Sequence, residues 1–181
     1  MKINGLVCSR RYPLLCISIL LFIIYLLINV RHIVAYAILL ALAGFLQYLL
    51  YRQPLRVNLG HIFFLAFIID AHDGIAGEIL FILLAGLVPE IIACYIELKI
   101  FFSYPVMIGI ISITVLLSGL PFALSGIISA FIYYLLMFLI SSITAEPPHE
   151  RFLEVVMPFI FNVIYFANLS LPMYSLLDFI I

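Results

Sequence analysis

The residues with most chemistry in them lie close together. The stretch FFLAFIIDAHDGIAGEI carries Asp70, His72, Asp73 and Glu78, with His61 just upstream. Three carboxylates and an imidazole at one hairpin would attract a cationic ligand or a divalent metal ion. Asn168 and Asp178, near the end of the chain, are expected at the same level. Asp70, His72, Asp73, Glu78, Asn168 and Asp178 are therefore the candidate ligand-binding set. A plainer reading makes Asp70, His72 and Asp73 an exposed loop, with Asp73 capping the helix that follows. Glu78 resists that reading, because it sits a turn into an apolar stretch and needs a partner, water or a proton.

Two further polar residues interrupt apolar sequence. Glu90 follows Pro89, about 24 Å along a helix from Gly74 at 1.5 Å per residue. At that depth it is either a carboxylate snorkelling to the interface or a gating or partner-facing acid. Asn162, in FIFNVIYF, lies inside the last apolar stretch; it reads as interhelical packing glue, with ligand contact the alternative. No nucleophilic constellation accompanies them: HExxH and GxGD are absent, and no Ser/His arrangement rises above chance. Cys8, Cys16 and Cys94 form no CxxC and have no His at zinc-ligand spacing, so no metal, cofactor or disulfide framework is indicated. Asp73-Gly74 matches the opening of the CDP-alcohol phosphotransferase motif, D-G-x2-A-R. Here Gly77 and Glu78 hold the Ala and Arg places, and Glu90 and Cys94 the later Asp places, so the metal-binding pair is gone.

These residues must be positioned by helices in lipid. Of 181 residues, 67% are hydrophobic and 9% charged, with a mean hydropathy of +1.36. A soluble domain has about 45–50% apolar and about 25% charged residues. The composition excludes a soluble enzyme and a disordered chain. Eight Lys+Arg against nine Asp+Glu, with no basic stripe, exclude a nucleic-acid partner. The fold class expected is all-α, a single polytopic transmembrane helical bundle with the lipid bilayer as its medium. A bilayer core takes roughly 20 helical residues. Apolar stretches place spans at 12–30, 33–51, 57–71, 74–96 (despite Glu78 and Glu90), 100–118, 121–142 and 155–178.

That is seven spans, or six with 57–71 as a short, tilted or re-entrant piece. Ser118-Gly119-Leu120-Pro121 is the expected break in the longest uncharged run, and 144–151 (TAEPPHER) the one hydrophilic loop. The first run is too long for a signal-peptide core and lacks a cleavage site, so it reads as a retained span. Continuous apolar runs exclude a β-barrel. With the N-terminus cytoplasmic, the inside carries Lys2, Arg10, Arg11, Arg52, Arg56, Lys99 and Arg151, and the outside only Arg31, as the positive-inside rule requires. A multi-pass cell-membrane location follows. Tyr12, Tyr48, Tyr51, Tyr95 and Tyr104 sit at expected span ends as an interfacial belt.

The stretch 45–91, FLQYLLYRQPLRVNLGHIFFLAFIIDAHDGIAGEILFILLAGLVPEI, resembles the rod-shape-determining protein MreD. More loosely it resembles the substrate-binding (S) components of energy-coupling factor transporters. In those families a polar hairpin leads into a span of the form G-x-x-x-G-F-x-x-G-x-x-x-D. Gly74, Gly77 and Gly86 hold comparable places, and Glu90 replaces the acid. The last span, with Asn162 inside and Pro172 near its far end, also looks like theirs. The resemblance implies a non-catalytic helical bundle that docks membrane partner subunits. As an S component it would capture a small molecule or cation at an outward-facing acidic site. As an MreD-like protein it would be a scaffold for cell-wall elongation proteins. An intramembrane enzyme of phospholipid metabolism with a degenerate D-G motif is the remaining alternative.

Overall fold

A computed structural model of the chain describes residues 33–53, 58–94, 99–116, 119–143 and 147–180. The expected span 12–30 lies outside these residues, as do Cys8, Cys16, Tyr12, Tyr95 and the basic residues Lys2, Arg10, Arg11, Arg31 and Arg56. The described residues form helices and no strands: α1 (Ile33–Arg52), α2 (His61–Ile92), α3 (Ile100–Leu116), α4 (Phe122–Ile143), α5 (Pro148–Asn168) and α6 (Ser170–Ile180). By length and apolarity α1, α2 and α4 are each able to cross a membrane, and α5 with α6 makes a fourth candidate.

Apolar side chains cover the outside of the bundle as well as filling its core. Large apolar side chains such as Leu42, Phe45, Phe131 and Leu135 face outward, while Gln47, Glu78, Glu90, Ser129 and Asn162 are buried. In water that arrangement forfeits the hydrophobic effect and strands polar groups. In lipid it is the stable one, because outward Leu and Phe side chains meet hydrocarbon and the polar groups find one another inside.

The long α2 is not straight. Gly74 has φ 74 and ψ −177, a left-handed conformation that only glycine adopts cheaply. A straight helix would separate Ile69 from Gly77 by about 12 Å. Instead a Cβ built on Gly77 would stand 3.2 Å from the Ile69 side chain. The chain therefore folds back at Gly74 into two arms. Contacts with α1 agree. The Ala43 carbonyl accepts from His61 Nε2 at 3.2 Å, and the next residue, Gly44, stands against Ala85 and Pro89. His61 and Ala85 thus lie at one height, midway along α1, and the first arm begins in the middle of the bundle. The second arm widens into a π-turn at Ile82–Leu87 just before Pro89, which has no N–H to donate and disturbs the preceding turn.

The helices pack around a ladder of aromatic rings. Phe63 stacks on Tyr133 at 5.2 Å, and Phe67 meets Phe122 and Phe166 at 5.3 and 5.1 Å. Phe166 lies so close to Gly126 that a Cβ there would stand 2.2 Å from the ring. Gly126→Ala is therefore expected to cost about 1–3 kcal/mol by overpacking. That corresponds to a fall in Tm on the order of 2–12 °C, measurable on protein in detergent; an unchanged Tm contradicts the packing.

Three sequence expectations need correction. Asp70, His72 and Asp73 lie on the helix rather than in a loop, because one glycine suffices for the reversal. The loop at 144–151 is shorter than expected, since Pro148–Arg151 already forms the first turn of α5, with Pro148 at a position where its missing N–H costs nothing. The last span is not one helix over 155–178. It breaks at Leu169 with a 61° bend between α5 and α6. Pro172 explains the break: it cannot donate to the Asn168 carbonyl and its ring crowds that group.

Candidate functional site

The two ends of the bundle differ in charge. Among the described residues Arg52, Lys99 and Arg151 share one end, with Glu90 and Glu154, whereas His72, Asp73 and Asp178 share the other.

The hairpin at Gly74 brings together part of the predicted set. His72 Nδ1 lies 3.0 Å from Asp73 and His72 Nε2 3.6 Å from Asp178, with Tyr174 beside the imidazole. Asp70 is buried, and across the hairpin it interacts electrostatically with Glu78. Glu78 is wholly buried; its Oε2 accepts from Ser112 Oγ at 3.1 Å, while Oε1 has no partner. Asn168 joins neither group, since its amide donates to the Ile164 carbonyl of its own helix. No group of three metal-ligating side chains that could hold a metal ion is found among the described residues.

A partly open cavity of about 80 Å³ lies at the other end, around Glu90. Pro89 and the π-turn set the register that directs Glu90 inward, so the residue is buried rather than snorkelling. Gln47 and Tyr51, one turn apart on α1, reach it from one side: Glu90 Oε1 accepts from the Tyr51 hydroxyl, and Gln47 Nε2 lies 3.5 Å away. From α3 the Tyr104 hydroxyl interacts with the same carboxylate. Tyr133 and Tyr134 of α4 complete an aromatic wall. Glu90 is 3% exposed, yet among the described residues its Oε2 has no hydrogen-bond partner, and neither does Gln47 Oε1. Lys99 and Glu154, also lining the cavity, form an ion pair. That pair balances itself, so among the described lining residues the remaining formal charge is the carboxylate of Glu90, on which Lys99 also acts electrostatically. A desolvated carboxylate among tyrosine faces is the chemistry that receives a small cation bearing N–H donors.

The cavity's inner wall is the start of α2. Gly60 sits at φ 67 immediately before His61, with its N–H held by Asn58 Oδ1 at 2.8 Å. Asn162 Nδ2 binds the Gly60 carbonyl at 3.1 Å, the Pro158 carbonyl at 2.9 Å and the Tyr134 hydroxyl at 3.1 Å. Asn162 is thus the pin between α5, α4 and the half-length arm.

Sequence reasoning singled out Glu90 but missed its neighbours. Tyr51 and Tyr104 do not belong to an interfacial belt: Tyr104 is buried and both turn toward Glu90, because a hydroxyl next to a buried carboxylate is worth more than one at the interface. The Gln47/Tyr51 spacing of four and the adjacent Tyr133-Tyr134 inside an apolar run were the available signals. No family model, no curated protein and no solved structure matches the chain.

Proposed function

We propose that this is a non-catalytic membrane protein that binds a small solute through its cationic group, as the ligand-binding subunit of a transporter. The observation that carries the reading is the unpartnered, buried Oε2 of Glu90 in a tyrosine-lined cavity. Packing alone gives no reason to hold a carboxylate with one bare oxygen within apolar helices. In the proposed topology the two arms of α2, with α1, α3, α4 and the α5–α6 pair, are six membrane segments, and 12–30 is a seventh. The N-terminus is cytoplasmic in the cell membrane, a reading supported by Arg52, Lys99 and Arg151 at one end. The carboxylates of the Gly74 hairpin then lie at the outer face, where their field gathers cations. In that topology the Glu90 cavity lies toward the cytoplasmic end, opposite the outward-facing acidic site that the S-component resemblance implies; what the resemblance of residues 45–91 supports is a membrane partner subunit docking on the bundle.

Thermal unfolding of the purified protein in detergent tests this. A ligand at a hundredfold its Kd stabilises by about 2.7 kcal/mol, a rise in Tm of about 5–10 °C for a chain of this size. Methylamine, glycinamide or glycine is expected to give such a shift, and Glu90→Gln to remove it. No shift with any ammonium compound overturns the reading in favour of an MreD-like scaffold.

A further inference from the structure

We infer that the Glu90 cavity takes a compact zwitterion, with its ammonium group on Glu90 and its carboxylate at the N-terminus of the first arm of α2. This rests on the cation-binding reading above and specifies the other half of the ligand. The arm, from His61 to the reversal at Gly74, starts in mid-bundle, so its N-terminal amides open into the protein rather than into water. The first amide of the arm to find a carbonyl is that of Phe64, which donates to Gly60 at 3.3 Å. No side chain caps the helix. Among the described residues no acceptor meets the N–H groups of His61, Ile62 and Phe63, at the end of a helix dipole that favours negative charge. Gly60, Ile62 and Phe63 line the same cavity as Glu90.

Donors and a carboxylate therefore face one another across a single small volume. Broken helices at the middle of membrane bundles bind anionic groups in this way. Lys99, on the cavity wall, is engaged by Glu154, so among the described lining residues the helix terminus is the remaining anion site. Glu90 supplies the independent half of the argument, being 3% exposed with an unpartnered oxygen. A lone ammonium ion would satisfy Glu90 and leave the amides bare; a lone carboxylate would meet Glu90 as a like charge. A ligand carrying both satisfies both. A closed cavity of about 150 Å³ holds benzene, so the roughly 80 Å³ here, partly open, suits a small amino-acid-like zwitterion.

The test is a calorimetric titration of the full chain in detergent with glycine, methylamine, glycinamide and acetate. Glycine is expected to bind on the order of tenfold more tightly than methylamine or glycinamide, acetate not at all, and Glu90→Gln to lose glycine. Equal affinity for glycine, methylamine and glycinamide, all lost in Glu90→Gln, overturns the zwitterion and leaves the cation reading standing. Binding of none overturns both. In the charge-neutral double variant Lys99→Gln/Glu154→Gln, glycine binding is expected to persist. Its loss from a variant that remains monodisperse moves the carboxylate to Lys99 and overturns the helix-terminus assignment.

Discussion

Gly60→Ala is expected to leave little folded protein, whereas Gly109→Ala leaves folding untouched. Gly60 has φ 67, a region where an L side chain costs about 1–2 kcal/mol. Its new Cβ would also stand 2.2 Å from Asn162 Nδ2, 2.8 Å from the Pro158 carbonyl and 3.0 Å from the Tyr134 hydroxyl. Asn162 can swing away, but the Pro158 carbonyl belongs to the α5 backbone and cannot. Overpacking of this kind costs about 1–3 kcal/mol, and the withdrawn amide leaves buried carbonyls unpaired at a further 1–3 kcal/mol or so. The sum approaches the whole stability of a typical domain, about 5–15 kcal/mol. At Gly109 a Cβ meets nothing within 4 Å, so that variant controls for the chemistry of the exchange. The readout is the monodisperse fraction after extraction, together with Tm. A Gly60→Ala protein that melts within about 2 °C of the parent would show that the first arm of α2 does not enter the bundle at Asn162.

Hydropathy made the helical membrane character legible, because a bilayer demands long apolar runs and leaves few other solutions. It also marked the segment before Asp70 as short, tilted or re-entrant, with its crossing left open; in the structure the arm starts at the height of Ala43 and reverses at Gly74. The bend at Leu169 was hidden, although Pro172 stood in plain view, because a proline near a helix end reads as a terminus and not as a kink. The acidic hairpin drew attention as a dense run of titratable residues, yet local density is a poor guide in a bundle. Asn168 and Glu78 are near neighbours of that group in expected depth, but one bonds its own helix and the other a serine on α3. The Glu90 cavity assembles Gln47, Tyr51, Tyr104 and Tyr134 from three helices. Its members run from Gln47 to Val155 in the sequence, and only the packing of α1, α3, α4 and α5 with α2 unites them.

Glu90→Gln separates a ligand-binding carboxylate from a structural one by the sign of its effect. The amide keeps an oxygen to accept from the Tyr51 hydroxyl. It adds an Nε2–H within reach of Gln47, whose Oε1 lacks a donor. It also removes a charge whose transfer from water was costly. With no ligand present the variant is therefore expected to melt at or above the parent, by about 2–4 °C for each kcal/mol gained. Binding moves the opposite way. Taking the charge from a buried pair costs about 2–5 kcal/mol, so the ligand-induced shift vanishes at concentrations that saturate the parent. A carboxylate kept only to tie Tyr51 and Tyr104 together gives the reverse pattern, a lower Tm in the variant and no ligand response in either protein. Stability gained where binding is lost is the mark of a group retained for function against the preference of the fold.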